Sequence, residues 1–170
     1  MDASVKDLVE GLKSAMLAER TGHEFYKMAA ATTKDEAGRE VFERLAAEEQ
    51  SHFEFLRKHY ESLLEKGELA RGVTLGEAHA MATEHPIFSK DLASRIRLAH
   101  FEMSALSIAA QLELNAINHY REQAARTALP EAKKFFQELV EWESGHYEAF
   151  VRQQQELQET YWSEARFSPF

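Results

Sequence analysis

Six side chains of this 170-residue chain have the types and spacing to hold metal: Glu19, Glu49 and His52, then Glu113, Glu143 and His146. Each member of the second set follows its counterpart by 94 residues (113 − 19, 143 − 49, 146 − 52). In both sets 30 residues separate the lone Glu from the Glu-x-x-His pair (49 − 19, 143 − 113). Four carboxylates and two imidazoles in two identical sets are what a two-metal carboxylate site between facing helices requires.

Glu-x-x-His alone is weak, because about one such pair arises by accident in a chain this rich in Glu and His. The common register is the informative part. The same shift of 94 superposes Tyr26 on Tyr120, Phe42 on Phe136, Leu45 on Leu139 and Phe53 on Tyr147. Duplication of a helix pair accounts for the set and predicts a pseudo-two-fold axis through the core.

On a helix, Glu49 and His52 emerge from one face on successive turns, as do Glu143 and His146. Leu45 and Leu56 flank the first pair, and Leu139 and Phe150 the second, so these faces are otherwise apolar. Burying a bare carboxylate costs several kcal/mol, and four together repel. Two divalent cations would neutralise four carboxylates, leaving the imidazoles uncharged.

Neighbouring groups lack the register. Glu48 could compete with Glu49 for His52, but its counterpart is Trp142. His23 follows Glu19 by one turn, yet its counterpart is Ile117, which suggests a supporting or surface role. His59 lies roughly 10 Å beyond His52 along a helix, too far for the same ions. Glu102 is likewise remote, and His79, His85, His100 and His119 read as solvated or capping groups. Tyr26 and Tyr120, seven after each lone Glu, are candidate catalytic residues. Their hydroxyls could orient the carboxylates or donate an electron, though only orientation follows from spacing.

The elements that must carry these residues are helices. Three Pro and seven Gly in 170 residues, with abundant Ala, Glu, Leu and Gln, favour helix nearly throughout. Leu8, Leu12, Ala15, Leu17, Phe25 and Met28 predict a first amphipathic helix from Val5 to about Ala31. Thr33-Lys-Asp-Glu36 reads as a capping box for a second, ending near Lys66 at Gly67. Residues 67–90 hold three Gly and Pro86, with a short helix expected over 75–82. Ser89 or Asp91 starts a third long helix to Ala125–Thr127, and Pro130 opens a fourth to about Gln158. Short, long and short connections predict an all-α four-helix bundle, residues 1–158, with one long crossover between helices two and three. Residues 159–170 form an aromatic tail, packed on the bundle or offered to a second subunit.

One domain is expected from length and uniform composition. The absence of Cys excludes disulfides, thiolate zinc and iron–sulfur clusters. A net charge of −9 without a basic cluster argues against nucleic acid. No apolar run approaches the roughly 20 residues of a membrane span, and the polar N-terminus is unlike a secretory signal, so cytoplasm is expected.

The Glu…Glu-x-x-His…Glu…Glu-x-x-His layout over about residues 5–155, with Tyr seven after each lone Glu, resembles the ferritin-like superfamily. Within it the chain is most similar to rubrerythrin-type di-iron proteins. The resemblance implies that Glu49 and Glu143 bridge two iron ions, Glu19 and Glu113 are terminal carboxylates, and His52 and His146 bind one ion each. Two departures stand out: no Cys for a rubredoxin domain, and Ala116 where rubrerythrins carry an extra Glu. The six-ligand set is therefore also similar to ferroxidase centres.

The expected activity is Fe(II) oxidation coupled to reduction of hydrogen peroxide or dioxygen, with an external electron donor. Mn or Zn are alternative metals, although Zn cannot cycle redox state. Iron binding or storage without turnover is the alternative function, and a metal-free helical adaptor a third. A homodimer, with possible exchange of helix pairs, is expected by the same resemblance.

Overall fold

A computed structural model describes residues 3–75, 86–96 and 99–164. Five helices account for most of them, and no strand occurs among the described residues. They are α1 (Ala3–Thr32), α2 (Glu36–Lys66), α3 (Lys90–Ser94), α4 (His100–Arg126) and α5 (Pro130–Glu164). None is long and apolar enough to cross a membrane.

In α1 the inward stripe is Leu8, Leu12, Ala15, Glu19, Gly22, Tyr26 and Ala29, all buried, at alternating spacings of four and three. That period turns one face to the core and carries Glu19 with it. Leu17 and Met28, expected on this stripe, point outward with 67% and 47% exposure. Both fall off the three–four repeat that Leu8 begins.

The cap of α2 also differs from expectation. Asp35, not Thr33, is the N-cap, its carboxylate accepting from the Gly38 N–H at 2.9 Å. The same carboxylate accepts from the N–H and hydroxyl of Ser89, fastening the start of α3 to that of α2. Thr33 instead donates to buried Glu102 at 2.9 Å, joining the α1–α2 turn to the first turn of α4. At the other end of α2, Gly67 adopts φ 72° and returns its N–H to the Leu63 carbonyl, a left-handed cap that glycine takes without a Cβ penalty.

The third long helix is divided. Ser89 caps only the single turn of α3, which stops at Arg95, and the long helix begins at His100. The short helix expected at 75–82 lies outside the described residues, apart from Leu75. Helix α5 runs six residues past its expected end at Gln158 (164 − 158), so Tyr161 and Trp162 are helical and part-exposed rather than in a tail. The rest of the expected tail, 165–170, is outside the described residues.

α1 packs along α2 and α4 along α5, each pair joined by a tight connection. Between the pairs the most extensive backbone contact is that of α1 with α4. Two apolar clusters fill the bundle. One holds Tyr26, Phe42, Leu45, Leu106 and Phe150. The other holds Leu12, Leu56, Tyr120, Phe136 and Leu139. The six candidate ligands lie between them.

Candidate metal centre

The structure brings all six residues together. Glu19, Glu49, Glu113, Glu143, His52 and His146 are each 4% exposed or less, which for four carboxylates demands compensation. They form two overlapping groups: Glu19, Glu49, His52 and Glu143, and Glu49, Glu113, Glu143 and His146. Within each group one ligand atom per residue lies within 4.8 Å of the others, close enough for a common metal ion. Glu49 and Glu143 belong to both.

The imidazoles face the carboxylates through Nδ1. His52 Nδ1 lies 3.1 Å from Glu143 and 3.3 Å from Glu19. His146 Nδ1 lies 3.1 Å from Glu143 and 3.7 Å from Glu113. Several buried atoms here make no hydrogen bond: Glu19 Oε2, Glu49 Oε1, Glu143 Oε1 and both nitrogens of His52. The His52 contacts are at ion-pair distance but lack hydrogen-bond alignment. Buried polar atoms are rarely left so. Converging, unpartnered oxygen and nitrogen donors fit a divalent cation, and this donor set without thiolate fits iron.

Two tyrosines complete the shell. Tyr26 of α1 donates to Glu113 of α4, and Tyr120 of α4 donates to Glu19 of α1. Each ring lies near parallel to a phenylalanine of its own helix pair, Tyr26 on Phe42 and Tyr120 on Phe136. Each hydroxyl crosses to the other pair, and the Tyr26 ring also stacks there on Phe150. Residue 26 stands opposite 113 and residue 19 opposite 120, so α1 and α4 run antiparallel.

The electrostatics reflect crowding. Burial, then the charges of Glu19, Glu143 and Glu113, pushes the Glu49 carboxyl well above the usual range. Burial and Glu143 do the same to Glu113, and Glu19 is raised by the same two causes. Burial disfavours charge on His52, but Glu143 and Glu19 outweigh it and hold its pKa up at about 10. His146 is raised too, burial being overcome by Glu143 and Glu48. Glu143 alone is lowered: burial opposes its charge, but His52 and His146 on either side prevail.

Glu49 has room because α1 presents Gly22 to it. A Cβ there would lie 2.7 Å from Glu49 Oε2. A cavity of about 340 Å³ opens at this place between α1 and α4, bounded by Gly22, Ala116, Glu19, Glu49 and Glu113.

Among residues outside the register, Glu48 holds the surprise. Its carboxylate lies 2.9 Å from His146 Nε2, so it serves the histidine of α5 rather than competing for His52 of its own helix. Only an interhelical contact reveals this. His23 donates from Nδ1 to the Ala46 carbonyl at 2.7 Å, away from the cluster. His59 is buried against Phe55 and Phe135, and His119 contacts the Gly11 carbonyl.

The family model for rubrerythrin matches residues 10–154. The chain belongs to the rubrerythrin family. This is a ferritin-like di-iron family. No curated protein and no solved structure shows significant similarity to the chain. As a rubrerythrin-family member it has buried acidic and imidazole groups that could hold metal ions, and its 170 residues contain no Cys for a rubredoxin-type iron.

Proposed function

We propose that this chain is a di-iron oxidoreductase coupling Fe(II) oxidation to the reduction of hydrogen peroxide or dioxygen. One observation carries the reading: two buried ligand groups share Glu49 and Glu143, the arrangement needed for two ions bridged by two carboxylates. Glu19 and His52 would complete one ion's set, and Glu113 and His146 the other's. When bound, two iron ions supply one electron each to a two-electron reduction of the oxidant.

The side chains have separable tasks. Glu49 and Glu143 would be shared by both ions and would offset their charge. Tyr26 and Tyr120 keep the terminal carboxylates from rotating, so we assign them positioning roles. The apolar clusters on either side exclude water. The cavity beside Gly22 gives a small oxidant a route to Glu49 from the α1–α4 face. Electrons return from an external donor.

The 94-residue register and the reciprocal tyrosine bonds support a duplicated helix pair. Antiparallel α1 and α4 support the crossover, because α2 and α4 then point the same way.

The test begins with iron content after anaerobic loading, expected near two per chain. Hydrogen peroxide should then convert the ferrous protein to a form with ferric near-ultraviolet absorbance, and a reductant should reverse it over repeated cycles. Glu49→Ala and His52→Ala should abolish the oxidation while leaving helical circular dichroism intact. Oxidation that stops after one round would favour iron binding or storage. Wild-type kinetics in both variants would remove the site assignment.

A further inference from the structure

The two halves of the metal centre match in their ligands but not in what stands behind them. His146 turns Nδ1 to the carboxylate cluster and Nε2 to Glu48, 2.9 Å away. A carboxylate only accepts, so the Nε2–H donates to it. His52 likewise turns Nδ1 inward, but its Nε2 is buried without a hydrogen-bond partner. The residue at the Glu48 position of the second half (48 + 94) is Trp142, whose indole meets the His52 ring edge-on, centroids 4.9 Å apart. One imidazole is thus backed by an anion and the other by an aromatic ring.

We propose that Glu48 is a positioning residue that makes the two ion sites unequal: the Glu113–His146 half binds a divalent cation first and more tightly, and the Glu19–His52 half binds the exchangeable one. The inference rests on the reading of the six residues as ligands for two ions. A carboxylate on the distal nitrogen fixes the tautomer that leaves Nδ1 free for metal, holds the ring against rotation and raises its basicity. Glu48 also adds a negative charge beside His146. His52 has none of these aids: its Nε2–H, required when Nδ1 ligates, meets no acceptor. Since Glu49 and Glu143 serve both ions, the difference falls on the unshared groups and their backing.

Co(II) is a suitable probe, titrated calorimetrically into chelator-treated protein and located by anomalous scattering in crystals grown with one equivalent. Wild type should show two unequal steps, with the single equivalent in the Glu113–His146 half. Glu48→Ala should weaken the tighter step roughly ten- to hundredfold and even out the occupancies, and Glu48→Gln should do so less. The converse change, Trp142→Glu at a partly exposed position, should tighten the weaker step, a gain that a purely structural ion pair would not produce. Equal occupancy in wild type, a tight step unmoved by Glu48→Ala, or equal weakening of both steps overturns the inequality while leaving the two-ion reading standing. Failure to bind Co(II) at all overturns both.

Discussion

The indole of Trp142 stands edge-on to the imidazole of His52, ring planes at 82°. It also lines a cavity of about 890 Å³ bounded by His59, Phe135 and the segment from Gly67 to Leu75. Trp142 thus touches both that open space and His52, which suits it to be a wall between them. Trp142→Ala should let water and chelator through. Release of Co(II) to EDTA, followed by stopped flow, is expected to accelerate severalfold, and an unchanged rate would show that the wall lies elsewhere.

Gly22→Ala should separate stability from binding. Replacing a mid-helix glycine ordinarily gains about 0.5–1 kcal/mol. Here the new Cβ would press on Glu49 Oε2 at 2.7 Å, which can yield only by turning the carboxylate. The chelator-treated variant should melt no lower than wild type, while its Co(II) affinity falls roughly tenfold, in the range seen when ligand support is disturbed.

Glu49→Gln should reverse its effect with metal and with pH. The folded-state pKa of Glu49 is raised, so its contribution is fully present below the ordinary carboxylate range and lost as pH rises through the raised value. His52 acts in the same direction: stability held below pH 6.5 is lost as pH rises toward about 10. Chelated wild type should therefore melt lower at pH 9 than at pH 6. Glu49→Gln should raise the melting temperature of chelated protein at neutral pH and abolish the rise that Co(II) gives wild type. A variant that Co(II) still stabilises would exclude Glu49 from the ion site.

His59 gives a pH dependence independent of metal. Burial lowers its pKa from 6.5, and neither nitrogen has a partner between Phe55 and Phe135. A depressed folded-state value means that stability is intact above pH 6.5 and falls as the unfolded chain takes up a proton below it. His59→Phe should flatten the denaturation midpoint between pH 7 and 5. An equal slope in both proteins would place the dependence on other groups.

Asp35→Ala removes the cap of α2 and the tie to Ser89 together. The expected loss in urea denaturation is about 1–2 kcal/mol. Ser89→Ala should reproduce only part of it, and a loss below 0.5 kcal/mol, roughly the smallest typical of a cap, would show the contacts to be incidental.

What could be read from the chain alone divides by range of interaction. The convergence of Glu19, Glu49, His52 and their counterparts in the core was legible because a helix converts spacing into direction and the two sets share one register. Gly67 was legible because a left-handed cap needs glycine. Leu17 and Met28 misled because apolar residues also occupy outward faces, where hydropathy without the three–four phase cannot separate them. Asp35 and Thr33 are both capping types two residues apart, and their roles were decided by Ser89 and Glu102, which arrive from distant sequence. The break before His100 has no Gly or Pro to announce it. Glu48 lacked the register of a ligand, but its partner His146 could not be read until α5 lay beside α2.

Tyr26 and Tyr120 each root in one helix pair and reach a carboxylate of the other, across antiparallel α1 and α4. If α1 slid along α4, both hydroxyls would be drawn away from their acceptors at once. Both links would part in one step, and Glu19 and Glu113 would lose their aim together. The axial alignment of the hairpins and the placement of the candidate ligands between them are therefore a single mechanical variable, locked by two phenols.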